Sequence, residues 1–176
     1  YKRQGVQNPR VGLVNVGTED HKGGELQHEA FRMLREAPVN FIGNIEARTV
    51  PSDGADVVVT DGFTGNVMLK LYEGVSATLF KKVKGVMLRR PLNKLAALLL
   101  KKDFAALKKA SDYNEYGGAP LMGIAKPVFK AHGSSKARTF YNALKITYRF
   151  VEGNVIGQIS DAIAAQAAAS EPAGDA

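Results

Sequence analysis

The chain has 176 residues, 45% of them hydrophobic, and a net charge of +7. That is enough apolar material for one packed domain or part of a larger one, and it excludes an intrinsically disordered chain. With no cysteine, disulfides, a thiolate nucleophile and thiolate metal sites are excluded, and no apolar run reaches the roughly 18 residues a transmembrane helix requires.

In chain order, Arg10-Val-Gly-Leu-Val-Asn-Val-Gly17 is a β-branched apolar run ending in glycine and predicts a buried strand. Thr18-Glu-Asp-His-Lys-Gly-Gly24 is a polar loop. Glu25 to Glu36 predicts a helix with Leu26, Ala30, Met33 and Leu34 on one face, stopped by Pro38. Val39 to Ile45 and Ala55 to Thr60 predict two further strands. From Met68 to Met87, apolar residues recur every three or four positions (Leu71, Val75, Leu79, Val83 between them), a long helix that Pro91 breaks. Leu92 to Lys109 predicts a second helical stretch, Ser111 to Gly123 a loop, and Pro127 to Ala131 a fourth strand. Helices are expected from Ser134 to near Arg149 and from Val155 to near Ala168, with a disordered tail over 167–176. Strand and helix alternation predicts an α/β fold, a mainly parallel sheet with flanking helices. Ligands in such sheets bind beyond the carboxyl ends of the strands, where the loops 17–24, 61–67 and 132–135 fall. The sequence opens on Tyr1 rather than Met, which we read as the sign of a longer parent chain. No secretory signal is present, and a cytoplasmic location is the expectation.

Three constellations carry possible chemistry. Asp61-Gly-Phe-Thr-Gly-Asn-Val67 joins a strand to a helix. Its glycines allow close backbone approach, and the helix start offers unpaired N–H groups to an anion such as phosphate, with Gly65 and Asn66 as binders and Asp61 orienting a ligand or donor. The alternative is a tight turn capped by Thr64 or Asn66. His132-Gly-Ser-Ser135 repeats the logic: Gly133, Ser134 and Ser135 offer anion-binding groups with Ser134 as N-cap, and His132 offers a donor or base. A capped turn with a hydrogen-bonded histidine is the equal alternative. In the loop after the first strand, Lys22 beside Gly23 and Gly24 supplies charge for a phosphate, against the reading of a solvated loop. Neither a Walker nor a dinucleotide fingerprint is present, so no nucleotide is expected. His21, His28 and His132 are a poor metal set, and no metal or cofactor is expected.

Tyr116-Gly117-Gly118-Ala119-Pro120 is a shaped backbone that either lines an apolar chain or forms a structural turn. The charge is concentrated: between Lys81 and Lys109 ten Lys/Arg and one acid, Asp103, give +9, leaving −2 for the rest of the +7. Lys81, Lys82, Lys84, Arg89 and Arg90, interleaved with Leu95 and Leu99, fit a solvated helical pair, an anionic lipid surface or an acidic protein. No aromatic stacking set accompanies them, so nucleic acid is not expected.

Five ordered phrases, PRVGLVNVGTEDHKG (9–23), NFIGNIEAR (40–48), DVVVTDGFTGNVMLK (56–70), SDYNEYGGAPLMG (111–123) and VFKAHGSS (128–135), resemble the C-terminal half of the phosphate acyltransferases of bacterial phospholipid synthesis. The resemblance runs from about Pro9 to Gln166, within residues 1–166 taken as the C-terminal part of that domain, with a protruding amphipathic helical pair over about 68–110. It implies an incomplete fold like that of isocitrate and isopropylmalate dehydrogenases and phosphotransacetylases. It also implies acyl transfer from acyl carrier protein to inorganic phosphate, giving acyl phosphate, in a homodimer peripherally associated with the membrane. In that reading Lys22, Asp61, Asn66 and His132 are catalytic, with Asp61 orienting His132. The alternatives are a short-chain phosphate acyltransferase using coenzyme A thioesters, a dehydrogenase of the same fold, or a non-catalytic piece that binds membrane or carrier protein.

Overall fold

The computed structural model describes residues 6–52, 54–110, 117–131, 133 and 135–170, with the side chains of 108–110 and 169–170 outside that description. The chain divides into two compact units, Tyr1–Lys84 and Gly85–Ala176.

The first unit is built on three parallel strands, β1 (Arg10–Asn15), β2 (Asn40–Glu46) and β3 (Val57–Val59), in the order β2-β1-β3. The central β1 is the most buried: Val11, Leu13 and Val14 join Ile45 of β2 in the core, as expected of a strand covered on both faces. Arg10 ties the strand starts together, its backbone N–H and its Nε donating to Asp56 Oδ2 at 2.8 and 3.0 Å. Helix α1 (Glu25–Glu36) packs on the sheet through Phe31, whose ring meets Phe41 edge-on at 5.1 Å. Its half-buried residues are Gln27, Ala30, Phe31 and Leu34, an i, i+3, i+4, i+7 stripe. Leu26 and Met33, expected on the covered face, are exposed; the expected apolar face is therefore turned by about one residue. A 3₁₀ helix, Ala47–Ser52, follows β2.

The strand expected over 39–45 is not regular. Val11 pairs with Phe41 but Leu13 with Asn44, so β2 carries an extra residue, and Gly43 there has φ +92°, a conformation glycine adopts at little steric cost.

Helix α2 runs Gly62–Met87, and the division between the units falls within it. In the second unit, α3 (Pro91–Leu99) starts with proline in its first turn, where the missing N–H costs nothing. The single stretch expected over 92–109 is two helices, α3 and α4 (Lys101–Ala110), broken at Leu100. The expected fourth strand is only β5 (Phe129–Lys130), and it pairs antiparallel with β4 (Ala119–Pro120) in a separate two-stranded sheet. Phe129 packs edge-on against Phe150 of α5 (Ala137–Glu152) at 5.2 Å. Helix α6 (Val155–Ser170) continues past the tail boundary expected at 167. The described architecture is thus α/β, a parallel three-stranded sheet with helices beside it.

Candidate functional site

Parallel strands end at one edge, so the segments leaving Asn15, Glu46 and Val59 all emerge on the carboxyl side of the sheet, the side where such sheets bind ligands. Two of the expected sites start there: the loop 17–24 and Asp61.

Asp61 is not part of an open glycine loop. Helix α2 begins at Gly62, and Asp61 is its cap: Oδ1 accepts from the backbone N–H groups of Phe63 and Thr64 at 3.0 and 2.9 Å. Hydrogen bonds from Thr64, side chain first and then backbone, hold the Asp61 carboxyl below the usual carboxylate range. Gly65, expected as an anion binder, donates its N–H to Asp61 O at 3.0 Å, and Asn66 lies one residue further into the helix. The cap is Asp61 itself rather than Thr64 or Asn66. This helix start already holds a carboxylate on the donors an anion would use.

The loop after β1 is arranged differently. Asn15 Nδ2 donates to Lys22 O at 2.9 Å, Asn44 Nδ2 donates to Glu19 O at 2.8 Å, and His28 Nε2 lies 3.0 Å from His21 O. The Lys22 N–H closes a turn onto Glu19 O at 3.1 Å. Gly23 has φ +94°, and a Cβ there would fall 2.7 Å from Gln27 Cβ and 2.8 Å from Asn15 Oδ1, so glycine is required both for conformation and for space. The loop feeds α1, whose N-cap is Gly24 and whose first turn has no side-chain cap. Gln27 Oε1 instead accepts from the Gly24 N–H at 3.1 Å. Lys22 is partly exposed, its Nζ 4.0 Å from Glu19 Oε1 at the limit of an ion pair. A cation, two glycines and a helix start free of a carboxylate cap meet here.

In the second unit, the loop 132–135 follows a strand of the antiparallel pair rather than of the parallel sheet. Helix α5 begins at Ala137 with Lys136 as N-cap, so the cap expected at Ser134 is displaced by two residues. Ser135 Oγ is buried and has no hydrogen-bond partner among the described residues, and Gly133 stands in open space. His132, Ser134 and Tyr116 lie outside the described residues. Gly117 and Gly118 seat the start of β4 against α5: a Cβ on Gly117 would overlap the backbone at Asn142 and Ala143, and one on Gly118 would lie 2.9 Å from Lys130 O. Close packing therefore explains both glycines, and Ala119 and Pro120 form β4 itself.

Lys81, Lys82 and Lys84 are exposed on α2, and Arg89 and Arg90 are exposed in the turn that precedes α3. Leu92 and Leu99 of α3 are 80% and 76% exposed, and Leu95 joins them on the surface. Among the described residues no group of acids and histidines could hold a metal ion, and no helix is long and apolar enough to cross a membrane.

Sequence reasoning missed Asn15 and Asn44. The available signal was an amide standing in each apolar strand run, VGLVN and IGNI, where a buried strand ordinarily carries aliphatic residues.

A parallel three-stranded sheet with flanking helices, and a glycine-rich, lysine-bearing loop at its carboxyl edge, defines the class, an α/β protein. The comparison with known proteins makes this specific. Residues 2–158 match the family described as "Fatty acid synthesis protein", and the chain belongs to that family. It is 55% identical over 155 residues to a protein of Oceanobacillus iheyensis named "Phosphate acyltransferase", covering 88% of this chain and 47% of that one. Proteins of the same name from Bacillus cereus and a Geobacillus species are 50% and 49% identical, covering 90% and 92% of this chain and 48% and 49% of theirs. The chain spans about half the length of these relatives.

Proposed function

We propose that this chain is the C-terminal part of an acyltransferase that moves a fatty acyl group from acyl carrier protein to inorganic phosphate, giving acyl phosphate. The observation that carries the reading is the Lys22-Gly23-Gly24 loop entering, at the sheet's carboxyl edge, a helix whose N-cap is glycine and whose start holds no carboxylate cap, in a chain of this family. A phosphate oxygen attacks the thioester carbonyl, the carbon–oxygen bond forms, the carbon–sulfur bond breaks, and the sulfur leaves as a thiol with the proton that the attacking hydrogenphosphate gives up. No enzyme nucleophile is required. The protein's part is to hold phosphate, align it and stabilise the tetrahedral oxyanion. Lys22 and the start of α1 hold phosphate. In the second unit, Gly133, Ser134 and Ser135 are proposed as donors to an anionic oxygen, with His132 as donor or base. Asp61 organises the neighbouring helix start, which leaves Gly65 and Asn66 a supporting part. The 116–120 segment borders the acyl chain. The dehydrogenase-like and phosphotransacetylase-like fold assignment belongs to the same proposal.

The decisive assay measures acyl phosphate release by the chain joined to the rest of the family's length, with acyl carrier protein and coenzyme A thioesters in parallel. Preference for the carrier protein is expected; equal or better use of the short coenzyme A thioester establishes the alternative. His132→Ala is expected to reduce turnover by about 100-fold, within the usual range for a general acid or base, and unchanged turnover removes that role.

The basic residues from Lys81 to Arg90 are proposed to meet acidic acyl carrier protein or anionic headgroups, with Leu95 and Leu99 entering the bilayer of a cytoplasmic membrane face. The homodimer is part of the same reading. In liposome sedimentation with phosphatidylglycerol vesicles, replacing Leu95 and Leu99 by Ser is expected to lower the bound fraction several-fold; equal binding removes the membrane contact.

A further inference from the structure

We infer that Asn15 and Asn44 are positioning residues which set the direction of the 18–24 loop, and with it the placement of Lys22 and of the loop's amide dipoles. The inference rests on the reading that this loop holds phosphate.

Asn15 and Asn44 are 9% and 5% exposed and stand at or near the carboxyl ends of adjacent strands. Neither is needed to satisfy the sheet. Asn15 uses both ends of its amide on the departing chain: Nδ2 donates to Lys22 O at 2.9 Å and Oδ1 accepts from Val16 N–H at 2.8 Å. Asn44 gives Nδ2 to Glu19 O at 2.8 Å, while its buried Oδ1 has no partner among the described residues. A buried acceptor left unused is costly, so Asn44 is a poor choice for packing alone. Its donor reaches the loop because of the irregularity in β2. The extra residue between Phe41 and Asn44 sends Asn44 to the face opposite the one it would occupy in a regular strand.

The consequence follows from peptide geometry. A trans peptide points its C=O and the next residue's N–H in opposite directions. With Glu19 O and Lys22 O held by the two asparagines, the N–H groups of Asp20 and Gly23 face away from the body of the unit. Gly23 is itself seated against the Asn15 amide, since a Cβ would fall 2.8 Å from Oδ1. Both ends of the turn that presents Lys22 are thereby fixed by side chains that do not themselves touch the anion.

The test is an inorganic phosphate titration of the whole chain followed by backbone amide NMR. In the unmodified chain, saturable shifts are expected at Asp20, Gly23, Glu25 and Leu26. Lys22→Met is expected to weaken binding at least 10-fold; unchanged affinity overturns the phosphate reading and this inference with it. Asn15→Asp and Asn44→Asp keep the shape and remove the donor at neutral pH. Each is expected to weaken phosphate at least 5-fold and to erase the shifts at Asp20 and Gly23 while leaving those at Glu25 and Leu26, a selectivity that general destabilisation does not produce. If Lys22→Met weakens binding but both Asn→Asp variants bind as the unmodified chain does, the phosphate reading stands and the positioning role falls. Should a buried aspartate prevent folding, the unmodified chain decides: the Nδ2 protons of Asn15 and Asn44 are expected to exchange with solvent at least 10-fold more slowly than those of exposed Asn66. Equal exchange overturns the clamp.

Discussion

Asp61 illustrates how one carboxylate can compete with a ligand. Its Oδ1 accepts the N–H groups of Phe63 and Thr64, the donors a phosphate would need at the start of α2. Asp61→Ala frees those donors but frays the first turn; a lost cap of this kind is expected to lower Tm by about 2–4 °C. Asp61→Asn keeps the cap and removes the charge, so it is expected to hold most of that Tm while raising phosphate affinity at low salt, checked by thermal unfolding and phosphate titration together. Acid sensitivity follows from the same residue and from Asp56, whose carboxyl is held low by hydrogen bonds from the Arg10 side chain and backbone. Both pKa values are depressed in the folded state. Their stabilisation is therefore fully present above the unfolded value of about 3.9 and is lost as pH falls through the lower folded values. Urea midpoints are expected to be insensitive to these two residues from pH 6 to 8. Below about pH 4 they should decline, less steeply in Asp56→Asn than in the unmodified chain.

At the scale of the element, the bulge in β2 separates two kinds of glycine. A Cβ added at Gly43 meets nothing within 4 Å, so Gly43→Ala strains only the φ of +92°, at about 1–2 kcal/mol. Gly23→Ala adds overlap with Gln27 and Asn15 to the same kind of strain. We expect chemical denaturation to show the larger loss for Gly23→Ala, and phosphate binding to fall with it, whereas Gly43→Ala lowers stability and weakens phosphate only through Asn44. The elements themselves were largely legible. Helix α1 runs from Glu25 to Glu36 as periodicity and Pro38 indicate, and β1 and β3 follow their β-branched runs. The start of α2 was not legible, because Gly62 and Gly65 are poor helix formers and Asp61 reads equally well as turn or cap. The bulge escaped because periodicity cannot register one inserted residue. The antiparallel pairing of β5 escaped because strand direction is set by partners distant in sequence. Lys22 and its glycines could be seen from residue type and order alone; the asparagines that aim them show in the sequence only as an amide within each apolar run, and their role exists only once β1 and β2 are side by side.

For the whole molecule, the decisive fact is how much apolar surface the described residues leave uncovered. Along α2, Leu71 and Leu79 are 65% and 59% exposed with Val67 and Val75 between and before them, an i+4 row on one helix face. On α5, Phe140, Leu144, Tyr148 and Val151 form a similar exposed row. Among the described residues few apolar side chains are buried: Val11, Leu13, Val14, Ile45, Ala143 and Phe150. Such rows are far beyond the scattered apolar residues of an ordinary surface. Because the chain spans about half the length of its relatives, the other half of the family's length is the expected cover. The chain on its own should therefore bind the dye ANS strongly and unfold in urea with a slope below that of a two-state domain of its size. Adding the complementary half of a relative in trans should quench the ANS signal, sharpen the transition and raise its midpoint. Concentration-dependent loss of ANS binding without that half, accompanied by a dimer in sedimentation, would instead assign the rows to a second copy of the chain. A cooperative monomer with no ANS signal would show that the two units bury these rows unaided.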